Sequence, residues 1–287
     1  ETMNAGARVQ VDERKEHPMD FALWKAAKEG EPAWDSPWGK GRPGWHIECS
    51  AMNMHHLGEQ IDIHGGGTDL IFPHHENEIA QTEALTHKPF ARYWIHNGML
   101  TFKSEKMSKS VGNMITIDEF LQEHPGDVMR LLVLNGSYRS PLTYSDEVLE
   151  QTEQAYRRLL SAKKPALPNA PGISPVKAQA LIEAAQKAHA QFIESMDDDF
   201  NTAAAMAAIF ELVKQINQAR AEGATQAQLE PAQAMFTEIT GVLGLQPQEQ
   251  GGRQTTADPF IDLLEEVRNE PRAQKNWALY DKIRHTI

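Results

Sequence analysis

The pattern of apolar residues changes near residue 145, and this change constrains the fold more than any other feature of the chain. Before that point, short apolar runs such as residues 61–64 and 93–96 alternate with helical patterns, and three glycines follow the first run. Beyond it, apolar residues recur at helical spacing and few strand patterns occur. The sequence therefore predicts an α/β layer followed by an antiparallel helical bundle.

Capping residues, prolines and glycines predict where the elements begin and end. In the first part, residues 5–12 alternate as a strand does, and helices are expected from about Pro73 to Leu85 and over residues 127–134. The helices expected in the second part begin at Ser145, run from Pro175 to Met196, from Asn201 to Gly223 and from Pro231 to Leu243, and begin again at Asp258. Residues 165–175 and 246–257 are expected linkers.

Length and composition are those of a soluble globular protein of about two domains. The 287 residues have a formal net charge of −12, which argues against a surface coated in basic residues but allows a local basic face. The single cysteine, Cys49, excludes a disulfide within the chain and fits a reducing cytoplasm. No apolar run reaches the roughly 18 residues of a membrane span, and no secretory leader opens the chain at Glu1, so a cytoplasmic protein is expected.

Three side chains have the spacing and chemistry of metal ligands. His74 and Glu78 are four residues apart, so they share one face of a helix, and Cys49 precedes them near an expected strand end. Thiolate, imidazole and carboxylate are all zinc ligands, and three protein ligands leave a fourth position open. His75, three residues before Glu78, is a competing ligand. The alternative is a buried free cysteine beside a polar helix face.

Two further segments have the chemistry of a phosphate site. Residues 106–110, Lys-Met-Ser-Lys-Ser, combine lysine charge with serine hydroxyls on an expected loop and are able to hold a triphosphate. The glycines at 65–67 allow close backbone approach to a ligand, as nucleotide loops require. Taken singly, a solvated loop and a flexible turn explain the same residues. Trp45, close to Cys49, is able to wall a small pocket, but taken alone it is interpreted as a core residue, because aromatic residues near strand ends are more often buried.

Taken together, these strings resemble cysteinyl-tRNA synthetase, a class I aminoacyl-tRNA synthetase. The combination is far more specific than any one string, and the resemblance extends over nearly the whole chain. It runs through residues 20–25, 44–52, 62–69, 72–78, 106–110, 138–141, 196–202, 277–278 and 281–284. The resemblance implies the C-terminal half of a Rossmann-like catalytic domain followed by a helical bundle.

The resemblance also implies domains and roles. Residues 1–104 would be the second part of the catalytic domain with the zinc site, residues 105–144 a signature-loop and stem-contact region, and residues 145–287 a helical tRNA- and anticodon-binding domain. Cys49, His74 and Glu78 would be three of four zinc ligands, one ion per chain. Trp45 would pack against the bound cysteine side chain.

The implied reaction is ATP-dependent activation of L-cysteine, with Mg²⁺ accompanying ATP, and transfer of the cysteine to tRNA(Cys) by a monomeric enzyme. The aminoacyl-adenylate pocket would be lined by His64, Gly65, Gly66, Gly67 and Asp69. Lys106 and Lys109 would be the catalytic lysines of a mobile loop, with Lys109 facing the ATP phosphates.

Two features of the family have no counterpart in this sequence. The fourth zinc ligand is a cysteine near the start of the full protein, whereas Cys49 is the only cysteine here, and the His-Ile-Gly-His string of class I enzymes is also absent. Both are explained if the first half of the nucleotide-binding fold precedes Glu1. The chain by itself is then expected to be incomplete as an enzyme.

Two other functions fit part of the pattern. A cysteine ligase acting on an amino-sugar would share Cys49, His74 and the lysine loop, although a small acceptor has no need of a long helical half. A non-catalytic RNA-binding or zinc-stabilised protein derived from such an enzyme would share the helical half. Binding of tRNA and pyrophosphate exchange with cysteine discriminate among the three.

Overall fold

The computed structural model describes residues 15–102, 105–106 and 115–248. The strands in these residues are β1 (Trp24–Ala26), β2 (Gly41–Pro43), β3 (Ile61–Gly67), β4 (Ala91–Asn97), β5 (Leu100–Phe102), β6 (Glu105–Lys106) and β7 (Leu142–Tyr144). The α-helices are α1 (Trp45–His56), α2 (Glu76–Thr86), α3 (Ile117–Glu123), α4 (Gly126–Leu134), α5 (Asp146–Lys163), α6 (Pro175–Asp197), α7 (Thr202–Ala221) and α8 (Gln226–Val242). The change from α/β to helical structure near residue 145 is confirmed. The strand expected over residues 5–12 and the helix expected from Asp258 lie outside the described residues.

In the described residues of the first part, three small sheets position the loops. β3 and β4 pair in parallel, with Gly66 opposite His96, and α2 lies in the crossover between them, as a parallel pair requires. β1 and β2 form an antiparallel hairpin that leads directly into α1. β5 lies between β6, which is antiparallel to it, and β7, which is parallel.

The chain forms two compact units. The first comprises Glu1–Thr116, Leu132–Gln151 and Ser195–Ala204, and the second comprises Ile117–Leu131, Thr152–Glu194 and Ala205–Ile287. The second unit has an apolar core of side chains such as Leu159, Ile209, Leu212, Leu229 and Phe236. In the first unit, by contrast, buried polar residues are concentrated in α1, α2 and the turn before α2: Ser50, His74, His75, Asn77, Glu78 and Thr82. A polar centre of this kind is costly unless its groups have partners, which makes it the candidate functional site.

Four local expectations differ from the structure. The helix expected from Pro73 begins at Glu76 and follows a π-helical turn, Ile71–His75. Phe72 is extended there (φ −131°, ψ 132°), because a residue before proline is disfavoured in helical conformation. Cys49 lies within α1 and not at a strand end. Gly44, which is extended (ψ 161°), is the N-cap of this helix. The helix has little amphipathic pattern, so the sequence did not indicate it.

The other two differences concern glycines and a cap. Residues 65–67, expected as a loop, continue β3 and pair with β4. Helix α8 begins at Gln226 and not at Pro231, because Thr225 and Gln228 form a capping box. The helices from Pro175 and from Asn201 are confirmed to within one residue at their starts. The predicted limits of the domains at residues 104 and 144 stay predictions.

Arg220 is a buried cation that stabilises the end of a helix in the second unit. It is 8% exposed, and its Nη2 donates to the carbonyls of Ala162 at 3.1 Å and Lys164 at 2.7 Å. Gln233 Nε2 donates to the same two carbonyls. These bonds satisfy carbonyls at the C-terminus of α5 that have no partner within the helix.

Replacement of Arg220 by methionine is expected to lower the free energy of unfolding of the second unit by about 1–3 kcal/mol, since buried acceptors lose a charged donor. Urea denaturation followed by circular dichroism measures the change. Lys214→Met, on the exposed face of the same helix, is the matched control and is expected to change stability by less than about 0.5 kcal/mol. Equal midpoints for the two variants would show that the buried bonds contribute nothing.

Candidate metal centre

Three elements of the first unit converge on the buried polar centre. Cys49 lies near the start of α1, His74 in the π-helical turn and Glu78 in the first turn of α2. The Cys49 Sγ atom is 3.5 Å from His74 Nε2, which in turn is 2.5 Å from Glu78 Oε1. The structure therefore brings together the three side chains that the sequence spacing selected.

Glu78 is at the middle of this cluster, and its side chain is 0% exposed. Its Oε2 atom is 2.6 Å from His64 Nε2. Despite these short distances, neither Glu78 oxygen nor His64 Nε2 has a hydrogen bond of acceptable geometry. Short nitrogen–oxygen distances without hydrogen bonds are expected if the lone pairs of these nitrogen and oxygen atoms are directed at a common point. A shared cation satisfies such an arrangement, whereas buried polar groups without a partner are costly.

Neighbouring rings fix the orientation of His74. Its Nδ1 atom is 2.8 Å from His46 Nδ1. The Trp45 ring stacks on its imidazole, with centroids 4.4 Å apart and planes at 19°. Trp45 is 54% exposed, so it covers the imidazole from outside and does not belong to a core. With Nδ1 engaged, His74 presents Nε2 to the thiol and the carboxyl, as the partners of metal-binding histidines commonly arrange.

A second possible ligand group shares the same carboxylate. His64 from β3 and His75 each offer an atom that lies with a Glu78 oxygen inside a 4.8 Å group. His75 Nδ1 is 2.9 Å from His96 Nε2 at the end of β4. Gly66 makes room for this packing, since a Cβ atom there would be 2.8 Å from His75 Cε1. His75, which the sequence offered as a competing ligand, therefore lies beside the centre on the side of β3.

Burial sets the protonation of these groups. It raises the pKa of Glu78 to about 7, and it raises the pKa of the Cys49 thiol, which the nearby Glu78 charge raises further. Burial also lowers the pKa of His64 and His74, and it lowers the pKa of His75 to about 4 with help from neighbouring histidines. Near neutral pH the imidazoles are in the neutral form that binds metals, while the thiol and the carboxyl must lose protons to do so.

The donor set fits a zinc ion. Thiolate and imidazole suit Zn²⁺, whereas Mg²⁺ and Ca²⁺ prefer oxygen ligands alone. Ligand atoms about 2.0–2.3 Å from a tetrahedral zinc lie roughly 3.3–3.8 Å from one another. The distance of 3.5 Å between Cys49 Sγ and His74 Nε2 falls in that range, whereas the 2.5 Å between His74 Nε2 and Glu78 Oε1 is shorter than the range, so these two atoms would have to separate to bind one ion. The unsatisfied oxygens of Glu78 supply the charge that such an ion requires.

The other predicted site residues lie on β3, its following turn and β6. His64, Gly65, Gly66 and Gly67 are consecutive in β3, and Asp69 lies in the 3₁₀ turn Thr68–Leu70 that follows. A Cβ atom at Gly67 would collide with Asp69 Oδ1, so a side chain there would displace the Asp69 carboxyl. These residues therefore form a continuous stretch of chain, and its first residue, His64, lies beside Glu78.

The two predicted catalytic lysines differ in what the structure shows. Lys106 lies in β6, with its backbone opposite Thr101 of β5. Lys109 lies outside the described residues. The role of either side chain therefore stays a prediction.

His46 and His96 are parts of this centre that sequence reasoning did not select. His46 directly follows Trp45 in a string that the resemblance already included. His96 ends the second apolar run, and a parallel pairing of the two predicted strands places it opposite Gly66 and so close to His75. The parallel register of β3 and β4 is therefore the signal that identifies His96.

Comparison with known proteins agrees with the fold. Residues 1–154 match the catalytic domain of class I (C) tRNA synthetases, and residues 191–247 match the DALR domain. The chain belongs to the class I (C) tRNA synthetase family. It is 50% identical over 295 residues to a cysteine–tRNA ligase of Dehalococcoides mccartyi, and 48% identical over 303 residues to one of Geobacter sulfurreducens. The resemblance to cysteinyl-tRNA synthetases is thus confirmed.

These relatives are longer than the chain. The matches cover 100% of the chain but only 61% and 63% of the two ligases. Among solved structures, LeuRS of Agrobacterium radiobacter K84, in a ternary complex with tRNA and LeuAMS, matches with a TM-score of 0.53. That match has 15% identity and covers 75% of the chain and 34% of LeuRS. It supports a class I synthetase fold.

Proposed function

We propose that the chain is part of a cysteine–tRNA ligase that selects L-cysteine through a zinc ion held by Cys49, His74 and Glu78. The observation on which this rests is the buried Glu78 carboxylate, whose oxygens lack hydrogen bonds while a thiol and imidazoles surround it. The name of the curated relatives, cysteine–tRNA ligase, supports the substrate. When bound, zinc supplies a soft Lewis-acid position that accepts the thiolate of the amino acid.

Selection of cysteine over serine is the chemical problem that this site would solve. The two amino acids differ by one atom, and a pocket that measures size alone discriminates such pairs only by about 10–200-fold. A thiol is far more acidic than an alcohol and is a softer ligand, so ligation identifies sulfur directly. Trp45, half exposed and stacked on His74, would cover the bound side chain.

The remaining residues would serve the two steps of aminoacylation. In the first, the cysteine carboxylate attacks the α-phosphate of ATP and pyrophosphate leaves with Mg²⁺. In the second, the terminal hydroxyl of tRNA attacks the aminoacyl carbonyl of the adenylate and AMP leaves. His64, Gly65, Gly66, Gly67 and Asp69 would line the adenylate pocket along β3. Lys106 and Lys109 would supply positive charge to the phosphates. Positioning and charge stabilisation account for most of the catalysis in such reactions.

The partner of the second step would be tRNA(Cys), bound in part by the helical region that contains the DALR match. That match favours tRNA over an amino-sugar as the acceptor. We expect a cytoplasmic monomer. Across the described parts of the chain, every helix falls short of the length and apolarity that a membrane span requires.

Pyrophosphate exchange into ATP with cysteine or serine as the amino acid tests this proposal in the intact protein. Zinc at one ion per chain and cysteine-dependent exchange are expected, with exchange on serine lower by more than the 200-fold limit of a size-based pocket. Removal of zinc with a chelator is expected to abolish exchange, and addition of zinc to restore it. Full exchange in metal-free protein would remove zinc from the mechanism, and exchange with neither amino acid would overturn the activity itself.

A further inference from the structure

A cluster of three side chains lies outside the metal centre, in the first unit. Arg139 donates to both carboxylate oxygens of Asp199, from Nε at 2.6 Å and from Nη2 at 3.0 Å. The Tyr138 hydroxyl donates to Asp199 Oδ1 at 2.8 Å. Asp199 therefore accepts three hydrogen bonds from two consecutive residues that lie 61 and 60 positions earlier in the chain. We call these three residues the Asp199 clamp.

The backbone on the Asp199 side is held in a defined and unusual conformation. Asp199 and Phe200 both have positive φ, 52° and 54°, which side-chain-bearing residues rarely adopt in succession. Asn201 Oδ1 accepts from the backbone N–H of Ala204 at the start of α7, and Thr202 Oγ1 donates to the Gly136 carbonyl. The turn between α6 and α7 is thus fixed against residues 136–139 at two separate points.

Residues 136–141, which we call the clamped segment, also contact the sheet of β5, β6 and β7. The Gly98 N–H donates to the Tyr138 carbonyl at 2.7 Å, and a Cβ atom at Gly98 would collide with the backbone of Ser140. The Leu142 N–H donates to the Met99 carbonyl, and β7 then pairs with β5. Because β5 also pairs with β6, the contacts continue to the strand that contains Lys106.

The same contacts also fix the end of β4. Gly98 directly follows that strand, whose His96 is bonded to His75 beside the metal centre. The clamped segment therefore lies between two parts of the proposed active site. One is the group of histidines around Glu78, and the other is Lys106, where the lysine string of residues 106–110 begins. No residue of the Asp199 clamp belongs to either part.

We propose that Asp199 is a positioning residue for ATP-dependent activation: by binding Tyr138 and Arg139 it fixes residues 136–141 and, through Gly98 and β5, sets the strand from which the lysine string begins. This inference rests on the proposed function. A simple contribution to stability explains the clamp less well, because the ion pair is about half exposed, with Arg139 and Asp199 55% and 53% accessible, and exposed pairs contribute little to stability.

The test compares Asp199→Ala, Asp199→Asn and the matched control Asp197→Ala in the intact protein. Asp197 is an exposed acid two residues away at the end of α6, so the control loses the same charge from the same region. The measurements are kcat and KM for ATP and for cysteine in pyrophosphate exchange, zinc content, and the thermal midpoint. Exchange requires no tRNA, so effects on tRNA binding do not enter.

Asp199→Ala is expected to lower kcat about 10–100-fold, the range that small misplacements of reacting groups produce, with zinc content and KM for cysteine unchanged. Asp199→Asn keeps an acceptor for Tyr138 and is expected to recover part of that loss, while Asp197→Ala behaves as wild type. Unchanged kcat in Asp199→Ala, or a loss that follows zinc content or the thermal midpoint, would overturn the inference alone. Absence of exchange in the wild-type protein would overturn the proposed function and this inference with it.

Discussion

Cys49→Ser is expected to lower zinc affinity and cysteine activation together, each by at least about 100-fold, since loss of partners that only orient a ligand already lowers affinity 10–100-fold. A serine hydroxyl is nearly isosteric but stays protonated beside the buried Glu78 carboxyl, so it offers no anionic ligand. Zinc content of the purified variant and pyrophosphate exchange with cysteine measure the two effects. The loss should be larger than that of any variant on the exposed side of α1.

The pH dependence of zinc binding provides an independent check on the same ligands. The pKa of Glu78 is raised to about 7 and the pKa of Cys49 is raised as well, so both groups hold protons at mildly acidic pH that the metal must displace. Zinc affinity of the wild-type protein is therefore expected to rise as pH increases through 7. In Cys49→Ser this rise should be less steep, because one proton fewer is released.

His56→Gln is the matched control for this experiment. His56 is an exposed residue in the last turn of the same helix as Cys49, away from the cluster. The variant removes a possible metal ligand from α1 without touching the buried centre, so zinc content and exchange should match the wild type. If Cys49→Ser retained full zinc content, Cys49 would be excluded from the site, and the second group around His64 and His75 would be the one to test.

The sequence was sufficient for those parts of the site that depend on local spacing. His74 and Glu78, four residues apart, point at one another even though the first of them lies in a π-helical turn and not in α2. The conformation around them was harder to predict, because Pro73 displaces the helix start and the glycines at 65–67 continue a strand. In the first case the proline keeps the residue before it out of helical conformation, and in the second case pairing with β4 overrides the preference of glycine for loops.

Contacts between distant segments were beyond single-sequence reasoning. His46 and His96 support the two histidines of the π-helical turn across 28 and 21 positions, and neither has a local pattern that marks it. The bond between Arg139 and Asp199 spans 60 positions and joins two segments that the sequence suggested only through resemblance. Such pairs are defined by topology, which spacing within one element does not specify. The cysteine at position 49 was found because its chemistry is rare in this chain, not because its location was predictable.

Lys109→Ala is expected to slow adenylate formation by about 100–1,000-fold, the usual effect of removing one preorganised group that stabilises developing charge. Charge accumulates on the pyrophosphate as it leaves, and a lysine ammonium directed at it lowers the barrier more than it strengthens binding of ATP. The effect should therefore appear mainly in kcat of pyrophosphate exchange, with a smaller change in KM for ATP. Zinc content and KM for cysteine should be unaffected, since the metal centre is a separate cluster around Glu78.

Lys187→Ala is the matched control, because it removes the same charge from an exposed position on α6 and is expected to leave exchange unchanged. Single-turnover measurement of adenylate formation, followed by transfer to tRNA, separates the two steps. If Lys109→Ala slowed transfer to tRNA but left adenylate formation intact, the lysine would act on the acceptor and not on the leaving pyrophosphate. The positive charge of Lys109 would then act on the terminal hydroxyl of tRNA. Lys106, which begins the same string and lies in β6 opposite Thr101, would then be the residue to test for the phosphate role.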